Sequence, residues 1–287
     1  MLYVVDIAVS TVAYDGYDYE QIARSLQKLN VKAVEVALID GCVEPFTELQ
    51  LKEAWAKEIR ACFESFGIRC SSFAAHVALV GDDAAQKLIR RIRFAAALGA
   101  PHVVTYACPS AHWPALYQQL QQALILAKQL NVRVLIENPG DGKEHIIDNS
   151  SDMQAFKELY SKDGLGTNYD PGNFVSHCPQ DKPLTDALSS FNCADHFHLK
   201  DVLKTEQGYQ FRSLGLGCID YAALLQAMAI QRPNMNMSIE LPLRLSRALN
   251  GQAIRASQKI PLEQIELQLS HALEMVQRNF LNQRTPA

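Results

Sequence analysis

Residues 8–18 read AVSTVAYDGYD, and this stretch decides between the two α/β folds that the rest of the chain allows. It runs from an apolar, β-branched segment at 3–9 into an amphipathic pattern at 18–30, so it joins a predicted strand to a predicted helix. A doubly wound open sheet usually carries a glycine-rich phosphate turn at this junction. Here the junction has only Gly16, and the sequence therefore favours a barrel.

The same alternation of a short apolar run and a longer amphipathic run continues along the chain. Strands are predicted at 3–9, 33–38, 68–75, 102–107, 132–137, 165–170, 195–200 and 236–241. Helices are predicted near 18–30, 49–66, 83–98, 113–130, 151–161, 183–192, 220–231 and 261–280, with Asp220 as a helix cap. Eight such units without a linker predict a (β/α)8 TIM barrel that forms a single domain over residues 1–287.

The fourth predicted helix shows most clearly why these segments are read as amphipathic. Leu116, Leu120, Ala123, Leu124 and Ala127 form an apolar stripe at helical spacing.

Composition limits the classes of partner. The chain has 287 residues, 48% of them hydrophobic, and a formal net charge of −4, which argues against nucleic acid or an anionic membrane as partner. Seven cysteines without a CxxC pair favour a reducing, cytoplasmic location. The first residues lack a basic leader and carry Asp6, so they read as a strand rather than a signal peptide. No apolar run is long enough to span a membrane, and a homo-oligomer stays open.

Four successive predicted strands end in a residue that can bind a metal. These residues are Glu137, Asp170, His198 and Glu240. In a barrel of this kind the carboxyl ends of the strands carry the reactive groups at one height. Because carboxylates held close together repel one another, this arrangement predicts a cation between them.

The segment at 195–201, DHFHLKD, supports that prediction. Side chains alternate along a strand, so His196, His198 and Lys200 share one face. With His198 as the ligand, His196 is expected one layer lower as a hydrogen-bonded core group. Lys200 is then either a solvated lysine at the rim or a cation that polarises the substrate.

Taken in order, the segments IEN, YDPGN, HFHLKD, GLGCID and SIEL resemble the xylose isomerase-like TIM-barrel superfamily. That superfamily includes sugar isomerases and epimerases, inosose and 3-dehydroshikimate dehydratases and, more distantly, endonuclease IV. The resemblance covers nearly the whole chain. It implies that Glu137, Asp170, His198 and Glu240 bind one divalent metal, and that the two glutamates are also catalytic proton carriers.

The resemblance also suggests residues that contact the substrate. It implies this role for Arg212, in the loop after the seventh strand. The epimerases of the superfamily carry a histidine three residues after the metal-binding aspartate, and this chain has Asn173 there. We expect Asn173 to face the substrate as well.

Further substrate contacts are predicted from position alone. His76, just beyond the third strand, is expected to face the site, and Glu35 is expected either to bond sugar hydroxyls or to form a structural salt bridge. Trp113, Tyr106 and His145 are candidates for the mouth of the barrel.

The segment after Glu240 carries Arg244, Arg247 and Arg255. Two interpretations stay open: at least one of them, with Arg244 the first choice, binds an anionic group of the substrate together with Arg212, or these arginines are solvated or pair with acidic neighbours and the substrate is a neutral sugar.

The preferred hypothesis is a divalent-metal-dependent isomerase or epimerase of a keto-sugar or related polyhydroxy ketone, working by proton transfer through a metal-bound enediolate. The expected partner is a small-molecule sugar or cyclitol. Mn²⁺ is the expected ion, with Mg²⁺, Co²⁺ and Zn²⁺ as alternatives. Three other functions stay open: a dehydratase of a cyclic keto-polyol or 3-dehydroshikimate-like acid, an endonuclease IV-like phosphodiesterase, and a barrel that binds without catalysis.

Overall fold

A closed barrel of eight parallel strands forms the centre of the protein, as a computed structural model that describes residues 7–283 shows. The strand order around the barrel is β1-β10-β7-β6-β5-β4-β3-β2. The twelve strands in this part of the chain are β1 (Ala8–Ser10), β2 (Ala33–Ala37), β3 (Arg69–Ala74), β4 (His102–Tyr106), β5 (Arg133–Glu137), β6 (Leu165–Tyr169), β7 (His196–Leu199), β8 (Asp201–Thr205), β9 (Gly208–Arg212), β10 (Asn236–Ile239), β11 (Leu245–Arg247) and β12 (Ala253–Arg255).

Helices follow the barrel strands and cover the outside of the barrel. In the described chain they are α1 (Tyr19–Lys28), α2 (Glu53–Ser65), α3 (Ala84–Leu98), α4 (Trp113–Gln129), α5 (Ser150–Tyr160), α6 (Pro171–His177), α7 (Pro183–Ser189), α8 (Tyr221–Gln231) and α9 (Leu262–Asn279). The predicted (β/α)8 TIM barrel is therefore confirmed. None of these helices has the length and apolar character needed to cross a bilayer.

Burial explains why the strands read as apolar runs in the sequence. Every residue of β2, β6 and β7 is buried, because helices pack on one side of each strand and the barrel interior lies on the other. The predicted apolar stripe of α4 is buried as expected. Asp220 caps α8, since its carboxylate accepts a hydrogen bond from the Ala223 backbone N–H at 3.0 Å.

The first predicted strand lies only partly within the described residues. The segment 3–9 was expected to be extended, and its first four residues lie outside the described part of the chain. The part that is described forms Ala8–Ser10, which pairs in parallel with β10 on one side and β2 on the other and closes the barrel.

A second, antiparallel sheet at the carboxyl end of the barrel was not predicted. Its strand order is β12-β11-β9-β8. β8 and β9 form a hairpin in the loop after β7, while β11 and β12 lie in the loop after β10. The two loops meet where Ser246 pairs with Gln210. The sheet therefore joins two neighbouring loops above the barrel mouth.

The short helix α6 was also not predicted. It begins directly after Asp170, whose side chain accepts a hydrogen bond from the Asn173 backbone N–H at 2.9 Å. Pro171 occupies the first helical position, where its missing N–H costs nothing. This helix turns Asn173 back toward the barrel axis.

Candidate active site

Four buried side chains meet at the carboxyl end of the barrel. Glu137 ends β5, Asp170 follows β6, His198 lies in β7 and Glu240 follows β10. Each offers one ligand atom, and these atoms lie within 4.8 Å of one another. The structure thus brings together the four residues singled out in the sequence, and no more than 3% of any of them is exposed.

The two ring nitrogens of His198 have separate environments. Nδ1 faces the carboxylates, at 3.1 Å from Glu137 Oε2 and 3.5 Å from Glu240 Oε2. Nε2 lies 3.2 Å from Glu35 Oε2. Burial lowers the pKa of His198, but the charges of Glu35, Glu240 and Glu137 outweigh it and raise the pKa well above its ordinary value. Among the described residues, Nδ1 has no hydrogen-bond partner.

Glu35 lies beneath His198 rather than on the cavity wall. Its Oε2 accepts hydrogen bonds from Ser72 Oγ at 2.7 Å and from Ser238 Oγ at 3.1 Å. Burial raises the pKa of Glu35, but His198 outweighs it and lowers the pKa to about 2. The expectation that Glu35 bonds sugar hydroxyls is therefore corrected, because its carboxylate is enclosed by protein and orients the imidazole.

His196 occupies the layer below, as predicted. Its Nδ1 lies 2.8 Å from Asn168 Oδ1 and its Nε2 lies 3.2 Å from Ser238 Oγ. Burial lowers the pKa of His196 to about 3, so the ring is neutral. Distance alone would allow Glu35, His196 and His198 to hold a second ion. Hydrogen bonds already engage both nitrogens of His196.

Three side chains contact the carboxylate of Glu137. Its Oε2 lies 2.9 Å from His76 Nε2 and accepts a hydrogen bond from Asn168 Nδ2 at 2.7 Å. Its Oε1 accepts from Asn173 Nδ2 at 2.7 Å. Burial raises the pKa of Glu137, but His76 and His198 outweigh it and hold the pKa well below its ordinary value. His76 and Asn173, both expected to touch substrate, thus contact a carboxylate while also lining the cavity.

Lys200 bridges the other two carboxylates. Its Nζ lies 2.5 Å from Asp170 Oδ2 and 2.5 Å from Glu240 Oε2. Only 5% of the residue is exposed, so the alternative of a solvated rim lysine is corrected. Burial raises the pKa of Asp170 to about 7, although Lys200 acts in the opposite direction.

The donor set fits a divalent cation. Three carboxylates and the unpartnered Nδ1 of His198 converge on one point, and such a site suits a hard or borderline ion. The charge of Lys200 offsets only part of the negative charge in the cluster. The hydrogen bond from His198 Nε2 to Glu35 is the arrangement by which proteins fix a metal-binding imidazole.

Two cavities that share lining residues lie at this end of the barrel. The inner cavity, of about 60 Å³, is lined by Glu137, Lys200 and Glu240 among others. The outer cavity, of about 390 Å³, includes Cys108, Pro139 and His145 in its wall. Both are lined by Cys42, Tyr106, Arg247 and Ala253. The predictions of Tyr106 and His145 at the mouth agree with this placement, whereas Trp113 is buried against Phe156 and Tyr160.

Two predicted arginines do not line either cavity. Arg212 is exposed and donates a hydrogen bond to Gln210. Arg244 is buried, and its guanidinium contacts Glu44 Oε1 at 2.7 Å, Asp15 Oδ2 at 3.2 Å and the carbonyl oxygen of Ser257 at 2.6 Å. This geometry corrects both expectations. The position of an arginine in a loop does not show whether its side chain turns to solvent, as in Arg212, or to acidic neighbours, as in Arg244.

Sequence reasoning did not identify Asn168, Cys42 and Phe211 as part of the site. Asn168 could have been found, because it precedes Asp170 by two residues and shares its strand face. Cys42 and Phe211 lie in a loop and in the second sheet, and nothing in their local sequence marks them.

Comparisons with known proteins agree with this architecture. A family model described as xylose isomerase-like TIM barrel matches residues 16–260. No curated protein sequence matches the chain.

Three solved structures show the same fold at low sequence identity. D-psicose 3-epimerase from Clostridium cellulolyticum H10, solved with D-tagatose, has a TM-score of 0.72 at 13% identity, with 96% of this chain and 99% of that chain covered. A xylose isomerase-like TIM barrel protein from Mycobacterium smegmatis in complex with magnesium has a TM-score of 0.70 at 14% identity, covering 96% and 98%. A Bacillus anthracis protein described as a probable 3-DHS dehydratase has a TM-score of 0.62 at 14% identity, covering 82% and 92%.

The low sequence identities to these three structures show only that the folds are alike. The family model, in contrast, matches most of the sequence and therefore identifies the family. The chain belongs to the xylose isomerase-like TIM-barrel family.

Proposed function

We propose that the protein is a divalent-metal-dependent isomerase or epimerase of a keto-sugar or related polyhydroxy ketone. The observation that carries this proposal is the buried cluster of Glu137, Asp170, His198 and Glu240 beside a cavity. Clustered carboxylates in a buried site are costly unless a cation neutralises them. Mn²⁺ and Mg²⁺ suit the three oxygens and one nitrogen, with Co²⁺ and Zn²⁺ as alternatives. The magnesium in the M. smegmatis relative and the sugar in the epimerase structure support this proposal.

A divalent ion bound by these residues supplies Lewis-acid polarisation of a substrate carbonyl. The two glutamates then divide the proton transfer. Glu240 accepts a hydrogen bond only from Lys200 among the described side chains, whereas three side chains bond Glu137. One of the two glutamates takes the proton from the carbon next to the carbonyl, and the other, across the substrate, returns a proton.

The fate of that proton decides the product. Return to the opposite face gives epimerisation, and return to the adjacent carbon gives aldose–ketose isomerisation. Loss of hydroxide from the next carbon gives dehydration, with Lys200 placed to donate to the departing oxygen. All three reactions share the first step, and detecting that step therefore tests the proposal.

The first experiment measures metal content and proton exchange. One equivalent of divalent metal per chain fits this proposal, about three would fit a phosphodiesterase of the endonuclease IV kind, and none would fit a binding module. NMR in D₂O with a panel of keto-sugars and cyclitols then detects exchange of the proton next to the carbonyl. Absence of both metal and exchange would overturn the proposal.

We predict that Glu137→Gln and Glu240→Gln each lower the exchange rate by about 10²–10⁴-fold, because each removes a proton carrier. Glu206→Gln is the matched control, since it makes the same chemical change at an exposed residue outside the site. Circular dichroism and metal content establish that each variant is folded and loaded. Normal exchange in a loaded Glu240→Gln variant contradicts the role of that residue.

A further inference from the structure

Arg247 is a cation at the junction of the two cavities. It ends β11 and lines both the inner and the outer cavity. Its guanidinium donates to the carbonyl oxygen of Gly251 and to Asn173 Oδ1, each at 3.2 Å. Because Asn173 also bonds Glu137, a single side chain separates Arg247 from the cluster. Arg247 therefore lines the same inner cavity as the cluster residues Glu137 and Glu240.

The neighbouring arginines differ from Arg247 in their partners. Arg244 and Arg255 each form ion pairs with Asp15 and Glu44. Within residues 7–283, Arg247 has no carboxylate within ion-pair distance, and its Nε is buried without a hydrogen-bond partner. A partly buried charge in this situation is costly unless an anion arrives to pair with it.

The acidic residues of the outer cavity do not supply that anion. Asp141 lies 3.0 Å from His145 Nε2, and it accepts a hydrogen bond from the Lys143 backbone N–H. Asp40 is exposed at the rim and has no ion pair with Arg247 in the described chain. Lys200 is neutralised by Asp170 and Glu240. The positive charge of Arg247 is thus the one facing the cavities without a protein counter-ion among the described residues.

We infer that Arg247 binds a carboxylate or phosphate group of the substrate, so that the substrate is an acidic polyhydroxy ketone rather than a neutral sugar. The inference rests on the proposed function for the end of the substrate that meets the cluster. The N–H groups of one guanidinium form the planar fork that meets such an anion with two hydrogen bonds. A neutral hydroxyl would satisfy one N–H and leave the charge unpaired.

The first test uses inorganic phosphate as a probe on the full chain after removal of metal, so that no ion competes for it. Isothermal titration compares the wild type with Arg247→Gln and with Arg212→Gln, the matched control on an exposed arginine. Wild type and Arg212→Gln should bind one phosphate per chain with equal affinity. Arg247→Gln should bind about tenfold more weakly or worse. Equal binding by all three proteins, or none by the wild type, overturns the inference.

The second test identifies the source of the anion with matched ketohexoses on the metal-loaded protein. D-fructose, D-fructuronate and D-fructose 6-phosphate differ at the sixth carbon as alcohol, carboxylate and phosphate. Tighter binding of either anionic probe, lost in Arg247→Gln but kept in Arg212→Gln, supports the inference and names the group. Equal binding of all three probes overturns it.

The two proposals can fail separately. Metal content and proton exchange decide the proposed function, whereas phosphate binding to metal-free protein requires neither. A chain that holds one metal and exchanges protons but ignores phosphate refutes only the acidic substrate.

Discussion

His198 determines how the cluster is organised, because its two nitrogens have different partners. Nε2 bonds the enclosed carboxylate of Glu35, and this bond turns Nδ1 toward the three carboxylates of the site. His196 has the same chemistry two residues earlier, but Asn168 and Ser238 engage both of its nitrogens. The neighbours of each ring, more than the residue type, separate a ligand from a core residue.

We therefore predict that His198→Ala weakens Mn²⁺ binding by at least tenfold more than His196→Ala does. The first variant removes a nitrogen aimed at the ion, while the second removes a hydrogen-bonded group one layer below it. Titration of Mn²⁺, with free ion followed by electron paramagnetic resonance, compares the two variants. Loss of the ion in His196→Ala with retention in His198→Ala would show that the strand register is wrong by two residues.

Metal affinity should also depend on pH through these same groups. In the metal-free protein the pKa of Asp170 is about 7 and that of His198 is well above its ordinary value, so both hold protons in mildly acidic solution. An ion must displace these protons, and its affinity is therefore lost as the pH falls through 7. We predict about a tenfold gain in affinity per pH unit for each proton released between pH 6 and pH 8. Calorimetry in buffers of different ionisation enthalpy counts the protons, and a flat affinity profile contradicts the prediction.

At the scale of elements, Asp201 connects the barrel to the loop that follows the hairpin β8–β9. Its buried carboxylate accepts hydrogen bonds from the backbone N–H groups of Val202, Gly215 and Gly217 at 2.9 Å, and from Ile219 at 3.3 Å. Gly217 approaches so closely that an added Cβ would lie 2.2 Å from Asp201 Oδ1. The segments HFHLKD and GLGCID are thus two halves of one structure, which also sets the position of Lys200.

Removing that carboxylate should destabilise the protein. We predict that Asp201→Ala lowers the free energy of unfolding by about 3 kcal/mol or more, because four backbone N–H groups lose their acceptor. Asp220→Ala, which removes a helix cap with one hydrogen bond, should cost about 1 kcal/mol. Urea unfolding followed by circular dichroism measures both variants. Equal losses would mean that the loop rearranges and finds other acceptors.

The barrel elements were predictable from sequence, whereas the elements above the barrel were not. Buried strands such as Arg133–Glu137 carry continuous apolar runs, and α4 carries its stripe, because burial on a regular backbone imposes a period. The strands of the second sheet are three to five residues long and partly exposed, so they leave no such period.

The candidate site divides in the same way. Residues at strand ends, such as Glu137 and His198, could be located because the barrel sets their height. The partners of Arg244 and Arg247 could not, since a long loop allows either side chain to turn inward. In the folded protein Arg244 pairs with Asp15 and Glu44, whereas Arg247 lines the cavity without such a partner among the described residues.

For the whole molecule, the four cluster residues come from β5, β6, β7 and β10, which are neighbours around half of the barrel. An ion bound to them would bind the folded chain and not the unfolded one. We predict that Mn²⁺ at one hundred times its dissociation constant adds about 2.7 kcal/mol to the free energy of unfolding. For a chain of 287 residues that corresponds to a rise in melting temperature of about 4–5 °C.

Differential scanning calorimetry measures this shift, and a chelator should reverse it. Glu206→Gln should show the full shift, whereas Glu240→Gln should show less because it loses one ligand. An unchanged melting temperature at saturating ion would contradict the prediction.

The antiparallel sheet limits which loops can be exchanged between proteins of this fold. β9 comes from the loop after β7 and β11 from the loop after β10, and Ser246 and Arg247 pair with Gln210 and Tyr209 across that seam. Grafting one of these loops from a relative strips the other of its partner strand and displaces Arg247. The two loops therefore form one structural unit. Chimeras should retain substrate preference only when both loops are exchanged together.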